Sequence, residues 1–440
     1  MKQSHTPWII ALAIVAIGLG GQAYAFHDGG VADCAGCHSM HSAVSPIATG
    51  GDLGYLLTAT DQSSTCLACH ESAGDTGPTR YHISTPDAEL TNDTDVVVQR
   101  TPGGDFGWLR QDLSATATYY APIFNNGRTR GHNIVAADNA YVADTDNTTA
   151  PGGSMLSTAL GCQSCHNPHG QARIDSTGAV VNPSIGATFP PITDSGSYGA
   201  IPAAGEAVGI YRLLGDSTYQ PIGVPAAFPG APAAITPSTY NRDEDVTPTR
   251  VAYGYGTANG FESWGRWCAT CHPDMHSDTP GSPGGQVHPV DDTLGSEAAN
   301  YNAYVKTGDY TGTSTDSFTS LVPFSSPSTD IATLAALSNN DGSVLTGPNG
   351  GDRLNCLTCH RAHASGWEYA LRWNNEAEFL TLGAPAAAVY PGVDAGLGNQ
   401  GQFNRGYTIA QMEAAYNDRP ADLEFAGHQR VLCNKCHLKD

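Results

Sequence analysis

Lysine is nearly absent from this chain of 440 residues: there are 4, against 16 arginines. Acidic residues outnumber basic ones 42 to 20, giving a formal charge of −22. With no basic patch, the phosphate contacts that hold nucleic acid are missing, and so is the attraction to an anionic membrane surface. Such acidity favours solubility outside the cell. Long apolar runs are also lacking. The one from Trp8 to Gly21 is about 14 residues, too short to span a bilayer comfortably. It follows Lys2 and precedes Ala23-Tyr24-Ala25, the order of a secretory signal, which sets cleavage after Ala25 and a single mature unit over 26–440. No later stretch is apolar enough to cross a membrane, so no membrane span is expected.

Hydrophobic material is short as well. Only 40% of residues are hydrophobic, while 51 glycines and 28 prolines break up regular structure. Such a chain reads as mostly irregular coil with short helices and a few short strands. The runs "DVVVQ" (95–99) and "NIVAA" (133–137) read as strand-like, and "TIAQMEAAYND" (408–418) reads as a helix. The chain lacks the makings of a conventional core for its length, so something else must supply buried apolar surface.

The cysteines indicate what that is. All twelve fall in six CxxC pairs: Cys34/Cys37, Cys66/Cys69, Cys162/Cys165, Cys268/Cys271, Cys356/Cys359 and Cys433/Cys436. A histidine follows each pair: His38, His70, His166, His272, His360 and His437. CxxCH is the attachment signature of c-type haem. Two thiols three apart reach the two vinyl groups on one porphyrin edge, and the next residue presents its imidazole to the iron. Disulfides need no histidine after each pair, and zinc leaves less regular spacings. Six covalent haem c groups follow, and a continuous row of six flat macrocycles forms the expected core. The scarce lysine fits the same picture, because arginine's planar fork pairs bidentately with carboxylates such as propionates.

Each iron has a second axial position. Methionine would raise its potential, but only Met40, Met155, Met275 and Met412 follow the signal. Besides the proximal six, the mature chain offers His27, His41, His82, His132, His169, His276, His288, His363 and His428. That supply favours six bis-histidine, low-potential haems. His41, His169 and His363 follow a proximal histidine as CHxxH, and His276 closes "CHPDMH". Three or four residues along, a side chain lies on the same side as the proximal one and reaches a neighbouring iron more readily than the far face of its own. His82, His132 and His288 stand away from any motif and serve as further candidates, as does His27 near the mature N-terminus. His428 reads as a surface histidine.

The first motif begins nine residues into the mature chain and the last ends near the C-terminus, so the haem row reaches both ends. Trp264, Trp267, Trp367 and Trp373 flank motifs and are expected on porphyrin faces. "NRDEDV" (241–246) and "DTDN" (144–147) lack the spacing of a calcium loop and read as solvated turns. "TPGGDFGWL" (101–109) has glycines for tight turns and no phosphate-loop context.

The stretches "FHDGGVADCAGCHSMH", "AGDTGPTRYHIS", "TPGGDFGWL", "GHNIVA", "PSTYNR", "NCLTCHRAHASG" and "VLCNKCHLKD" resemble those of the OmcS-type outer-surface hexahaem cytochromes of metal-reducing bacteria. The resemblance runs over nearly the whole mature length. It implies secretion to the cell surface, head-to-tail polymerisation into filaments, and electron transfer from outer-membrane cytochrome donors to metal oxides, electrodes or other cells. It also implies that His41 ligates the haem of Cys356, Cys359 and His360 in the neighbouring subunit. Two other readings stand beside this conduit. A multihaem reductase of nitrite, hydroxylamine or a sulfur oxyanion would keep one iron open or lysine-ligated, yet no CxxCK occurs and histidines exceed the need. A monomeric shuttle would share the chemistry without the polymer.

Overall fold

A computed structural model describes residues 34–39, 56–72, 81–91, 95–115, 123–170, 172–181, 202–224, 226–237, 244, 249–276, 289–305, 309–384, 387–391 and 406–437. The signal segment, His27, His41 and His288 lie outside the described residues. Among the described residues the longest helix is Gln62–His70, nine residues, capped by Asp61, whose carboxylate accepts from the Ser64 amide at 2.8 Å. No helix there is long and apolar enough to cross a membrane.

Helix Ile409–Ala415 forms where "TIAQMEAAYND" placed one. Thr408 and Gln411 close a capping box on its first turn. The two strand-like runs do not form strands. Residues 95–100 join no ladder among the described residues, and 133–137 runs into a 3-10 turn, Ala137–Asn139. Their apolar side chains still turn inward: Val97, Ile134 and Ala136 are buried.

Among the described residues pairing is confined to short ladders and isolated bridges. Leu113–Ala115 and Ile123–Asn125 form an antiparallel pair. Arg173–Asp175 lies between Val180–Val181 and Ala207–Gly209, and Ala252–Gly254 lies between Ala234–Ile235 and Ser325–Ser326. Ala231–Pro232 pairs in parallel with Phe261–Glu262. The glycines and prolines between them leave little room for longer ladders.

The polypeptide nevertheless builds apolar clusters of its own. One gathers Phe106, Trp108, Trp367, Tyr407, Tyr416 and their neighbours. A second packs Ile174, Val208, Ile235 and Leu334. The third corrects the expectation for two tryptophans. The Trp267 ring stacks on Phe228 at 4.5 Å, Trp264 meets Tyr253 edge-on at 5.3 Å, and their indole nitrogens donate to the Gly215 and Ala233 carbonyls. Trp367 likewise packs on Tyr416 at 5.1 Å. These side chains find aromatic partners within the protein because a large ring buries most area against another. Trp373 is also buried.

Candidate haem-binding sites

Each CxxCH motif is a single helical turn. The histidine amide returns to the carbonyl of the first cysteine at 3.0 Å for His166, 3.1 Å for His272, and 3.0 Å for both His360 and His437. Cys66, Cys69 and His70 lie within one helix, and Cys34–Cys37 forms another. One turn brings positions i, i+3 and i+4 to a common face. Two sulfurs and one imidazole therefore point the same way, as attachment to one macrocycle edge requires.

In Gln62–His70 the side chains of Ser63, Ser64, Thr65 and Leu67 are buried, which fixes the helix against the protein and leaves the attachment residues Cys66, Cys69 and His70 accessible to a macrocycle.

A second repeated contact sets the imidazole's protonation. Nδ1 of His70 lies 2.8 Å from the Tyr81 carbonyl, that of His166 2.7 Å from Arg212, that of His272 2.8 Å from Pro151, and that of His360 2.7 Å from Tyr369. A carbonyl only accepts, so Nδ1 donates and Nε2 keeps its lone pair for a metal. His132, outside any motif, does the same with Ala362 at 2.7 Å.

Imidazoles then face one another in pairs. Ring centres are 6.0 Å apart for His38 and His169, 6.0 Å for His132 and His272, and 6.3 Å for His166 and His363. A metal–nitrogen bond is about 2 Å, and each ring centre lies about 1 Å behind its nitrogen, so one iron ligated from both sides sets ring centres about 6 Å apart. The three pairs match that span, and each joins a proximal histidine to one of the proposed distal ones. In the pairs His132/His272 and His166/His363 burial favours the neutral ring, as a ligand must be. It draws His132 down to about 4 and His363 to about 3, and it lowers His166 and His272 as well. The residues fit haem c. Cys162, Cys165 and His166 with His363 would hold one group, Cys268, Cys271 and His272 with His132 another, and Cys34, Cys37 and His38 with His169 a third. The group itself would supply reversible one-electron redox chemistry at iron.

The seat of His363 lies in "TPGGDFGWL". The His363 amide donates to Gly103 at 2.8 Å, its ring stacks on Phe106 at 4.6 Å, and a Cβ on Gly103 would stand 2.7 Å from its Nδ1. Gly104, at φ +88, turns the chain there. Asp105, fully buried, ties the segment together by accepting from the Thr85 amide at 2.8 Å and the Gly107 amide at 2.7 Å. The sequence showed the glycines but not what approaches them.

Other candidates are placed differently. His82 lies beside the second motif, its ring 4.2 Å from that of Tyr81. Among the described residues His276 meets no imidazole at iron spacing. Pro273 starts a 3-10 turn that carries it to Asp291, with Nε2 3.0 Å from the carboxylate. His428 is exposed and packs edge-on to Phe379, as a surface histidine does. Glu244 departs from the solvated turn expected of "NRDEDV": it is buried between Arg361 and Arg372.

The motifs also repeat in twos. The first, third and fifth share one device that the sequence reading missed. His38, His166 and His360 each bridge a leucine: Leu57, Leu214 and Leu371. The residue after each histidine donates to the residue before that leucine, over 2.7, 2.8 and 2.7 Å. In all three the accepting residue has positive φ: Leu56 at 53, Leu213 at 53 and Ala370 at 56. These are the three motifs written CHxxH. The even motifs pack against the next odd one. The Cys66 thiol contacts that of Cys162, and Cys268 that of Cys356. The Cys162 amide donates to Ser63 of the second motif's helix at 3.1 Å.

No protein-family model matches the chain. It is 44% identical over 437 residues, 95% of each chain, to the C-type cytochrome OmcS of Geobacter sulfurreducens. Two solved structures share its fold. The cryo-EM structure of OmcS nanowires from Geobacter sulfurreducens matches 94% of this chain and all of that one, with a TM-score of 0.78 at 42% identity. The outer membrane cytochrome S filament from the same organism matches to the same extent, with a TM-score of 0.77. Six attachment turns, imidazoles opposed at iron spacing and this likeness over nearly the whole length lead to one assignment: the chain belongs to the OmcS family of c-type cytochromes.

Proposed function

We propose that the protein is an extracellular electron conduit. Residues 1–25 direct export, and residues 26–440 carry six bis-histidine haems in one row. The opposed pairs His38/His169, His166/His363 and His132/His272 carry this reading, because an iron ligated on both faces exchanges electrons without offering a site to a substrate. The likeness to proteins described as nanowires and filaments supports polymerisation. The donors would be outer-membrane cytochromes, and the acceptors metal oxides, electrodes or other cells.

The repeat suggests how the polymer continues. His169 of the third motif faces His38 of the first, and His363 of the fifth faces His166 of the third. Carried one step further, His41 of the next subunit faces His360. The contacts Cys66/Cys162 and Cys268/Cys356 extend in the same way to Cys433 and Cys34 of the next subunit. Each junction would then reproduce a packing the chain already makes twice within itself. The second and sixth irons draw on His27, His82, His276 and His288.

Purified protein should contain six covalent haems per chain, all low-spin, with no titratable thiol, and should sediment as a polymer. Fewer than six haems, or high-spin iron in the assembled material, would contradict the conduit.

A further inference from the structure

Behind the fifth attachment turn lies a buried ionic cluster. Arg361, Arg372 and Glu244 have side chains 1%, 0% and 4% exposed, so polypeptide atoms alone enclose them. Arg361 Nη1 is 3.0 Å from Glu244 Oε2, and Arg372 Nη1 is 3.5 Å from the same oxygen. Arg419, also buried, donates to the Ser320 hydroxyl at 2.7 Å, and Arg372 Nη1 donates to the Ser320 carbonyl at 3.1 Å. At the cluster's edge Glu424 lies 4.0 Å from Arg419. Three guanidiniums thus face two carboxylates, one of them peripheral, which leaves a buried excess of positive charge.

That charge is tied to one attachment turn. Arg372 Nε donates to the carbonyls of Leu357, at 2.6 Å, and His360, at 3.2 Å, and its amide donates to Cys359 at 2.8 Å. Arg361 directly follows His360 and donates its own amide to Ala370 at 2.7 Å. A charge in the protein interior escapes most salt screening and acts through a dielectric well below that of water. Reduction adds one electron to the iron, so unbalanced positive charge nearby favours the reduced form. Burying several arginines for stability alone is a poor bargain, since an apolar replacement of like volume is often as stable.

We propose that the Arg361–Arg372–Arg419–Glu244 cluster raises the reduction potential of the haem held by Cys356, Cys359 and His360, making it the place where the row holds an electron. This rests on the haem assignment above. The fifth haem is the last of the odd series and in that reading takes its distal ligand from the next subunit, so the cluster would place the resting electron one haem before the crossing between subunits.

Charge-changing variants test it by opposite signs. Glu244→Gln removes the buried negative charge and should raise one potential. Arg419→Met removes a positive charge without touching the attachment turn and should lower the same potential. Arg419→Lys, which keeps the charge, should leave it in place. In a spectroelectrochemical titration each shift should appear in a single step carrying one sixth of the α-band amplitude. It should change the reduced-to-oxidised ratio at fixed poise by on the order of tenfold, 59 mV for one electron. Denaturation of the same proteins supplies a separate readout: a merely structural cluster would lose stability in both variants with no opposed shift in potential. If Glu244→Gln fails to accumulate, Arg419→Met against Arg419→Lys decides alone. Six low-spin haems with unmoved potentials would overturn the proposal while leaving the conduit intact. Missing haems in the unaltered protein would overturn the conduit instead.

Discussion

The amide of His132 donates to the carbonyl of His363 at 2.9 Å, yet the two rings face different partners, His272 and His166. One backbone hydrogen bond therefore joins the distal sides of the third and fourth haem sites. Gly131 allows the approach, since a Cβ there would come within 2.3 Å of the same carbonyl oxygen. His363 also stands three residues from His360, so a short stretch fixes the spacing of three sites.

Removing either distal ring should open one iron and no more. His132→Ala and His363→Ala should each convert one haem in six to a high-spin or water-ligated form, and the double variant two in six. The high-spin absorption and magnetic circular dichroism bands read the fraction. An unchanged low-spin spectrum in either single variant would remove that histidine from the ligand set.

Gly103→Ala probes the seat rather than the ligand. Its Cβ would stand 2.7 Å from His363 Nδ1 and force the ring to move. Overpacking of this kind costs about 1–3 kcal/mol. The expected result is a partly high-spin third haem and a lower unfolding midpoint. Gly351→Ala, whose added methyl would meet its nearest atom, Asn349 Oδ1, at 3.1 Å in a half-buried turn, should do far less.

Asp105 gives a dependence on pH. Burial, outweighing its four hydrogen-bond donors, holds its carboxyl above the ordinary value of 3.8. The native state therefore binds this proton more tightly than the unfolded chain does. Its contribution to stability is full below that ordinary value and is lost as pH rises through the raised one. Asp105→Asn should abolish that slope. It should also lower stability by about 1–3 kcal/mol at neutral pH, because an amide NH₂ would replace an acceptor facing backbone N–H donors. Unfolding midpoints measured from pH 3 to 8 would show both effects; an unaltered slope would mean that another group titrates.

Much of the site was legible in the sequence because covalent chemistry wrote it there. CxxCH leaves no freedom in which residues attach and which imidazole comes first, and CHxxH marks a second ring that reaches onward. Helix Ile409–Ala415 was legible because its capping box is local. What escaped depends on long-range contact. The leucine bridges of the odd motifs join residues separated by 19, 48 and 11 positions, with intervals too unequal to show as a repeat. Glu244 looked solvated because its neighbours are polar, whereas its partners Arg361 and Arg372 lie more than 100 residues away. The aromatic clusters escaped for a similar reason: tryptophan beside CxxCH carries no sign of whether a porphyrin or another ring will cover it.

The central claim is that a subunit junction repeats the intrachain exchange, with His41 of the next subunit on the iron of His360. The most direct measurement is the high-spin fraction in filaments and in monomers dissociated from them. Wild-type filaments should show none, wild-type monomers one haem in six, and His41→Ala one in six in either state, with filaments shortened or lost. Long filaments of His41→Ala with every haem low-spin, or monomers with no high-spin haem, would contradict the account.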